Sequence, residues 1–145
     1  HIAAPREDCE GIDRMFRTAL QRADLAPAEV GDINPHGTGT QANARLETQS
    51  IRTVFGEKLP TVSSTKSLTG HSQGATGAHE AIYSLLMLNN DFIAASANID
   101  NLDPGAEGYP IARQRIDNAG LNTVMSNSFG FGGTNACLLF SRYDQ

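Results

Sequence analysis

The chain has 145 residues, 39% of them apolar, with 16 acidic against 11 basic side chains and a formal net charge of −5. That length supports one domain with a real core, and an acidic balance without any Lys/Arg block gives nucleic acid no electrostatic footprint. No apolar run nears the ~18 residues that span a bilayer, and the first residues lack the apolar stretch of a signal peptide, so no membrane is expected and the expected compartment is the cytosol.

Ile12, Met15, Phe16, Ala19 and Leu20 recur at i, i+3, i+4, i+7 and i+8. The spacing predicts an amphipathic helix over about 10–23, with Arg14, Arg17 and Arg22 off the apolar stripe. Pro27 and Gly31 punctuate the next stretch, and residues 30–35 read as a short strand ending on the turn His36-Gly37-Thr38-Gly39-Thr40. A second helix is predicted over about 42–55, with Ile51, Val54 and Phe55 inward and Gly56 as its stop. Residues 61–65 are β-prone and lead through Lys66 into Ser67-Leu68-Thr69-Gly70-His71-Ser72. A third helix is expected over about 74–88. Its first half is small-residued, its second half is bulky, and it is apolar nearly all round, which predicts burial. A strand over 92–97, a long polar loop over 98–114 and a strand over 123–126 come next. The glycine-rich run from Asn127 to Ala136 and a final strand over 136–141 close the chain. Alternating helix and strand predict an α/β fold, a mixed sheet with helices packed on it.

Three strand ends deliver polar or aromatic groups onto turns: His36 with Thr38 and Thr40, Lys66 with His71, and Phe129 with Phe131. In open α/β sheets, sites form beyond the carboxyl ends of strands, so one crevice can collect all three. His71 precedes a predicted helix N-terminus, where partial positive charge disfavours imidazolium, and Lys66 pushes the same way. Neutral imidazoles suit hydrogen-bond donation to a developing oxyanion better than proton shuttling. Glu47, eleven residues after His36, reads either as a solvated helix carboxylate or as a buried partner for Lys66. His79 lies within the predicted buried helix and reads as structural. The two cysteines, Cys9 and Cys137, are too few for a disulfide framework, no Cys/His spacing suits zinc, and neither cysteine looks like an activated nucleophile.

These motifs together identify a family. His36-Gly37-Thr38-Gly39-Thr40, Thr65-Lys66-Ser67-Leu68-Thr69-Gly70-His71 and Asn127-Ser128-Phe129-Gly130-Phe131-Gly132-Gly133-Thr134-Asn135 resemble the C-terminal half of elongating β-ketoacyl-acyl-carrier-protein synthases. The runs 81–88 and 123–126 look most like the type I branch. The resemblance implies a thiolase-like half-domain with a five-stranded type of mixed sheet, and homodimeric enzymes in fatty acid biosynthesis. It implies transfer of an acyl chain to a cysteine, then decarboxylation of malonyl-carrier protein and condensation of the two. His36 and His71 match the catalytic histidines, Lys66 the active-site lysine and Glu47 its carboxylate partner. Thr38 and Thr40 match threonines that contact the phosphopantetheine arm. Phe131 matches the aromatic gate, with Phe129 beside it. Acyl carrier protein is the implied partner, and no cofactor is implied beyond the arm that carries the substrates.

The sequence departs from that pattern at Ala44, where an Asp is usual, and at Gln41, where Pro is common. The family's nucleophilic cysteine belongs to an N-terminal half that has no counterpart here. The segment His1-Ile2-Ala3-Ala4-Pro5 resembles one that comes after the first strand of the second half. The sheet is therefore expected to lack its first strand and to expose an edge or an apolar face, and the chain alone is expected to be inactive in condensation and marginally stable or prone to associate. A non-catalytic partner subunit, like the chain-length factors that pair with ketosynthases, is the alternative reading.

Overall fold

A computed structural model of the protein describes residues 7–38 and 41–143. Helix α1 (Glu10–Ala23) matches the predicted stripe, burying Ile12, Met15, Phe16 and Leu20, with Glu10 and Asp13 in its first turn and Arg22 in its last. That charge order complements the helix dipole. Asp24 stops the helix in the left-handed region at φ 53. Helix α2 (Gln41–Phe55) packs beside it, the Phe16 and Phe55 rings meeting edge to face at 5.6 Å.

Strands β1 (Asp32–Asn34), β2 (Thr61–Val62), β5 (Thr123–Phe129) and β6 (Asn135–Ser141) form one mixed sheet in the order β2-β1-β5-β6. β1 is parallel to both β2 and β5, while β6 runs antiparallel to β5. Ile33 and Met125 point into the core built by α1 and α2. Val124 points to the opposite face, where Met87 and Leu88 of helix α4 (Thr76–Asn90) cover it. The sheet is thus sandwiched between helices, and the carboxyl ends of its three parallel strands lie side by side. Among the described residues β6 pairs only with β5.

Four expectations need correction. The strand expected over 92–97 is only β3 (Phe92–Ile93), and it pairs with β4 (Ile116–Asp117) in a separate two-stranded ribbon. Beyond Ile93 the backbone turns to other partners, as when Ser96 N–H donates to Ala112 O at 2.7 Å. Lys66 opens a one-turn helix, α3 (Lys66–Thr69), where the sequence suggests only a loop. β5 runs three residues into the glycine-rich motif, so Asn127, Ser128 and Phe129 lie on a strand. Last, α4 is not buried all round. Ile82 is 54% exposed, Leu85 45% and Leu86 48%, and His79 is exposed as well. Apolar periodicity identifies a helix, but only packing decides which faces are covered.

Asp32 has no exposed surface and accepts from Ser63 Oγ at 2.9 Å through one oxygen only. Burial pushes its carboxyl up to about 7, against the pull of that hydrogen bond. A carboxyl raised in the fold is held protonated below that value, and stability is lost as pH rises from the unfolded value of 3.8 through about 7. Asp32→Asn removes the charge, so denaturation midpoints of the variant fall less steeply between about pH 5 and 7 than those of the parent. The gap at pH 8 is roughly 2–4 kcal/mol. Parallel pH slopes for the two proteins contradict this account.

Candidate active site

His36 leaves the end of β1 and is 7% exposed. Its own N–H donates to Glu47 Oε1 at 2.9 Å, and the N–H of Gly37 donates to Glu47 Oε2 at 3.2 Å. Asn127 Nδ2 adds a third donor to Oε1 at 3.2 Å. A carboxylate on α2 therefore ties down the turn after β1 and the neighbouring strand β5. Burial pushes the Glu47 carboxyl up, and these three N–H groups pull it back. The imidazole lies against the Phe129 ring, with centroids 5.1 Å apart, and its Nδ1 accepts from Phe129 N–H at 3.2 Å. An accepting Nδ1 leaves the proton of the neutral ring on Nε2. Burial first, then the charge of Lys66 and the proximity of His71, lower the His36 pKa to about 4, so the His36 ring is neutral across the physiological range.

His71 lies just beyond the short helix that Lys66 opens. Its ring meets that of His36 edge to face, with centroids 5.7 Å apart at 88°. Its Nδ1 accepts from the N–H of Gln73 at 2.9 Å, which again places the neutral ring's proton on Nε2. Two imidazoles, one just past the end of β1 and one just past α3, are thus held by backbone N–H groups in the same tautomer. Paired N–H donors of this kind can stabilise negative charge developing on a carbonyl oxygen.

Lys66 is buried, but its partner is not the expected one. Its ammonium pairs with Glu80 of α4, both side chains being nearly inaccessible, while Glu47 is occupied by backbone N–H groups. Glu47 acts on Lys66 only through space. Burial pushes the Glu80 carboxyl up, and Lys66 opposes it. The sequence does carry a signal for Glu80: it is the one formally charged residue in the whole of α4, and a single carboxylate in an apolar helix needs a cation nearby. Asn34 and Thr65 carry no such signal. Asn34 Nδ2 donates to Thr65 Oγ1 at 2.9 Å, joining the end of the strand that leads to His36 to the residue preceding Lys66.

Thr38 is half-buried two residues beyond His36. Thr40 lies outside the described residues. Phe131 sits at the apex of the β5–β6 turn and is 86% exposed. Gly132 and Gly133 come after it at φ 85 and 86, a conformation costly for other residues, so the turn can fold back tightly and present the ring. Cys137 has its thiol pushed up to about 12 by burial and by Glu47, and burial raises Cys9 as well. Neither is primed as a nucleophile, in line with the sequence reading.

Comparison with known proteins points the same way. Residues 1–100 match the family described as Beta-ketoacyl synthase, C-terminal domain. A 3-oxoacyl-[acyl-carrier-protein] synthase 1 from Haemophilus influenzae is 56% identical over 135 residues, covering 93% of this chain and 32% of that protein. Among solved structures, the ishigamide ketosynthase/chain length factor superposes with a TM-score of 0.92 at 34% identity, over 99% of this chain and 35% of that one. A type II polyketide synthase acyl-carrier protein in complex with its ketosynthase, bound to a hexaketide, gives 0.91 at 26% identity, over 99% of this chain and 36% of that one. The chain spans about a third of the length of the curated relatives it matches.

Proposed function

We propose, from the premise that this chain belongs to the β-ketoacyl synthase family through its C-terminal domain, that residues 1–145 supply the decarboxylating half of a Claisen condensing enzyme. That enzyme elongates acyl chains on acyl carrier protein in fatty acid biosynthesis. The observation that carries the reading is the pair of imidazoles, His36 and His71, 5.7 Å apart and each accepting a backbone N–H at Nδ1.

In this reading the thioester oxygen of malonyl-carrier protein accepts from both Nε2–H groups. The carbon–carbon bond to the carboxylate breaks, carbon dioxide leaves, and the electron pair of that bond enters the enolate that the two donors hold. The enolate carbon attacks the acyl thioester on the cysteine of the N-terminal half. The carbon–sulfur bond breaks, and the released thiolate takes up a proton. Neutral imidazoles suit this step because each offers a donor without a counter-charge to the departing carboxylate's electrons. Glu47 fixes the His36 turn, and the buried Lys66–Glu80 pair adds a positive charge that keeps His36 neutral. Thr38 and Thr40 are assigned to binding the phosphopantetheine arm. Phe131 screens the malonyl side from the acyl side, with Phe129 fixing His36. The substrates arrive on carrier protein, no further cofactor takes part, and the working enzyme is a homodimer in the cytoplasm.

Retention of His36, His71, Lys66 and Glu47 together favours this over a chain-length-factor role, since a partner subunit has no use for paired donors. The test is an enzyme completed by an N-terminal half bearing the cysteine, assayed for carbon dioxide released from a malonyl thioester with the cysteine blocked. Release persists if this half carries the decarboxylation, and its absence overturns the proposal. Purified residues 1–145 alone yield no condensed product.

A further inference from the structure

His71 differs from His36 in how it is held. His36 is buried and packed against Phe129, whereas His71 is exposed, so hydrogen bonds must fix its ring. A row of them runs from its rear nitrogen to the outer surface of α4. Gln73 N–H donates to His71 Nδ1, so that nitrogen is an acceptor, and the Thr76 hydroxyl 3.0 Å from it donates too. With its proton so used, Thr76 Oγ1 accepts from Ser72 Oγ, 3.2 Å away. Ser72 Oγ lies 2.8 Å from His79 Nδ1 and accepts from it. Every proton in the row then points toward His71. Thr76 and His79, three residues apart, share one face of α4, and Ser72 lies in the turn that precedes it. Thr76, at 5% exposure, is the buried link, and His79 is the exposed end.

We propose that Thr76, Ser72 and His79 are positioning residues that act as one relay on His71, holding its ring in the tautomer that offers Nε2–H to the substrate oxygen. The inference rests on the oxyanion role assigned to His71 above. One backbone N–H alone leaves the ring free to pivot about that bond. A second donor at the same nitrogen, anchored through Ser72 to His79, removes the freedom.

The completed enzyme carrying Thr76→Val, which keeps the shape and deletes the hydroxyl, tests this. Its kcat for malonyl decarboxylation falls about three- to tenfold, the worth of one net hydrogen bond, with KM unchanged. Thr76→Ser restores the rate. His79→Ala lowers kcat in the same direction, and the double variant Thr76→Val/His79→Ala is no slower than Thr76→Val alone, because members of one chain are not additive. Parental kcat in Thr76→Val, failure of Thr76→Ser to rescue, or additive losses each overturn the relay. Spectra of 15N-histidine-labelled protein read the same contact without turnover: the His71 Nδ1 resonance moves in Thr76→Val and not in Thr76→Ser. An unmoved resonance in Thr76→Val also overturns the relay. Parental decarboxylation in His71→Ala instead removes the oxyanion role, while the resonance still decides whether the hydrogen-bond row exists.

Discussion

Replacing His36 or His71 by alanine in the completed enzyme lowers malonyl decarboxylation at least ~10²-fold, since loss of one oxyanion donor commonly costs on the order of 10²–10³ in rate. The loss falls on kcat, because the donors strengthen as charge develops and do little for the ground-state thioester. The two variants are expected to differ in their side effects. His36 is buried against Phe129 and lies under the loop that Glu47 ties down, so its removal leaves a cavity as well as a missing donor. His71 is exposed, so its removal subtracts little besides the donor. Decarboxylation within a few-fold of the parent in either variant, with the fold intact, ends the assignment of that histidine.

The second large effect falls on stability. Lys66→Met leaves Glu80 buried without its cation, and breaking such a pair from one side typically costs about 3–5 kcal/mol. Burial already pushes the Glu80 carboxyl up, and Lys66 is what opposes it, so in the variant the carboxyl rises further. A carboxyl raised by folding costs stability in full above its folded pKa, and the cost shrinks as pH falls from there toward the unfolded value. The deficit of Lys66→Met is therefore largest at neutral and alkaline pH and shrinks on acidification. Lys66→Met/Glu80→Gln recovers much of it at neutral pH, because two neutral groups replace one stranded charge. Equal denaturation midpoints for Lys66→Met and the parent at pH 7 contradict this.

Much of this site is legible in the sequence, for a physical reason. Turns need particular backbone angles, which glycines supply, so His36, Lys66, His71 and Phe131 announce themselves by their neighbours in the chain. Contacts across the fold have no such signature. Glu47 falls in a helix as expected but takes a different partner, because nothing local distinguishes a carboxylate that meets an ammonium from one that gathers backbone N–H groups. Glu80 lies fourteen residues beyond Lys66 on another helix, and only its isolation among uncharged neighbours hints at a role. His79 reads as structural in sequence because α4 looks buried on every side. The exposure of Ile82, Leu85 and Leu86 shows that hydropathy reports what a face prefers and not what covers it. Asp32 escapes notice because a short strand gives no sign that both its faces are covered.

The sheet order β2-β1-β5-β6 also acts as a fixed ruler. Neighbouring strands lie about 4.8 Å apart whatever their side chains, and the connections that carry His36 and His71 start from adjacent ones, β1 and β2. The backbone ladder therefore sets where those connections begin, and the turn after β1 and the segment through α3 set the gap between the rings. Substitutions in the surrounding helices can tilt a ring or free it without moving the strands. A wider separation of the two rings would call for a longer turn after β1 or a longer segment after α3, with the sheet left as it is.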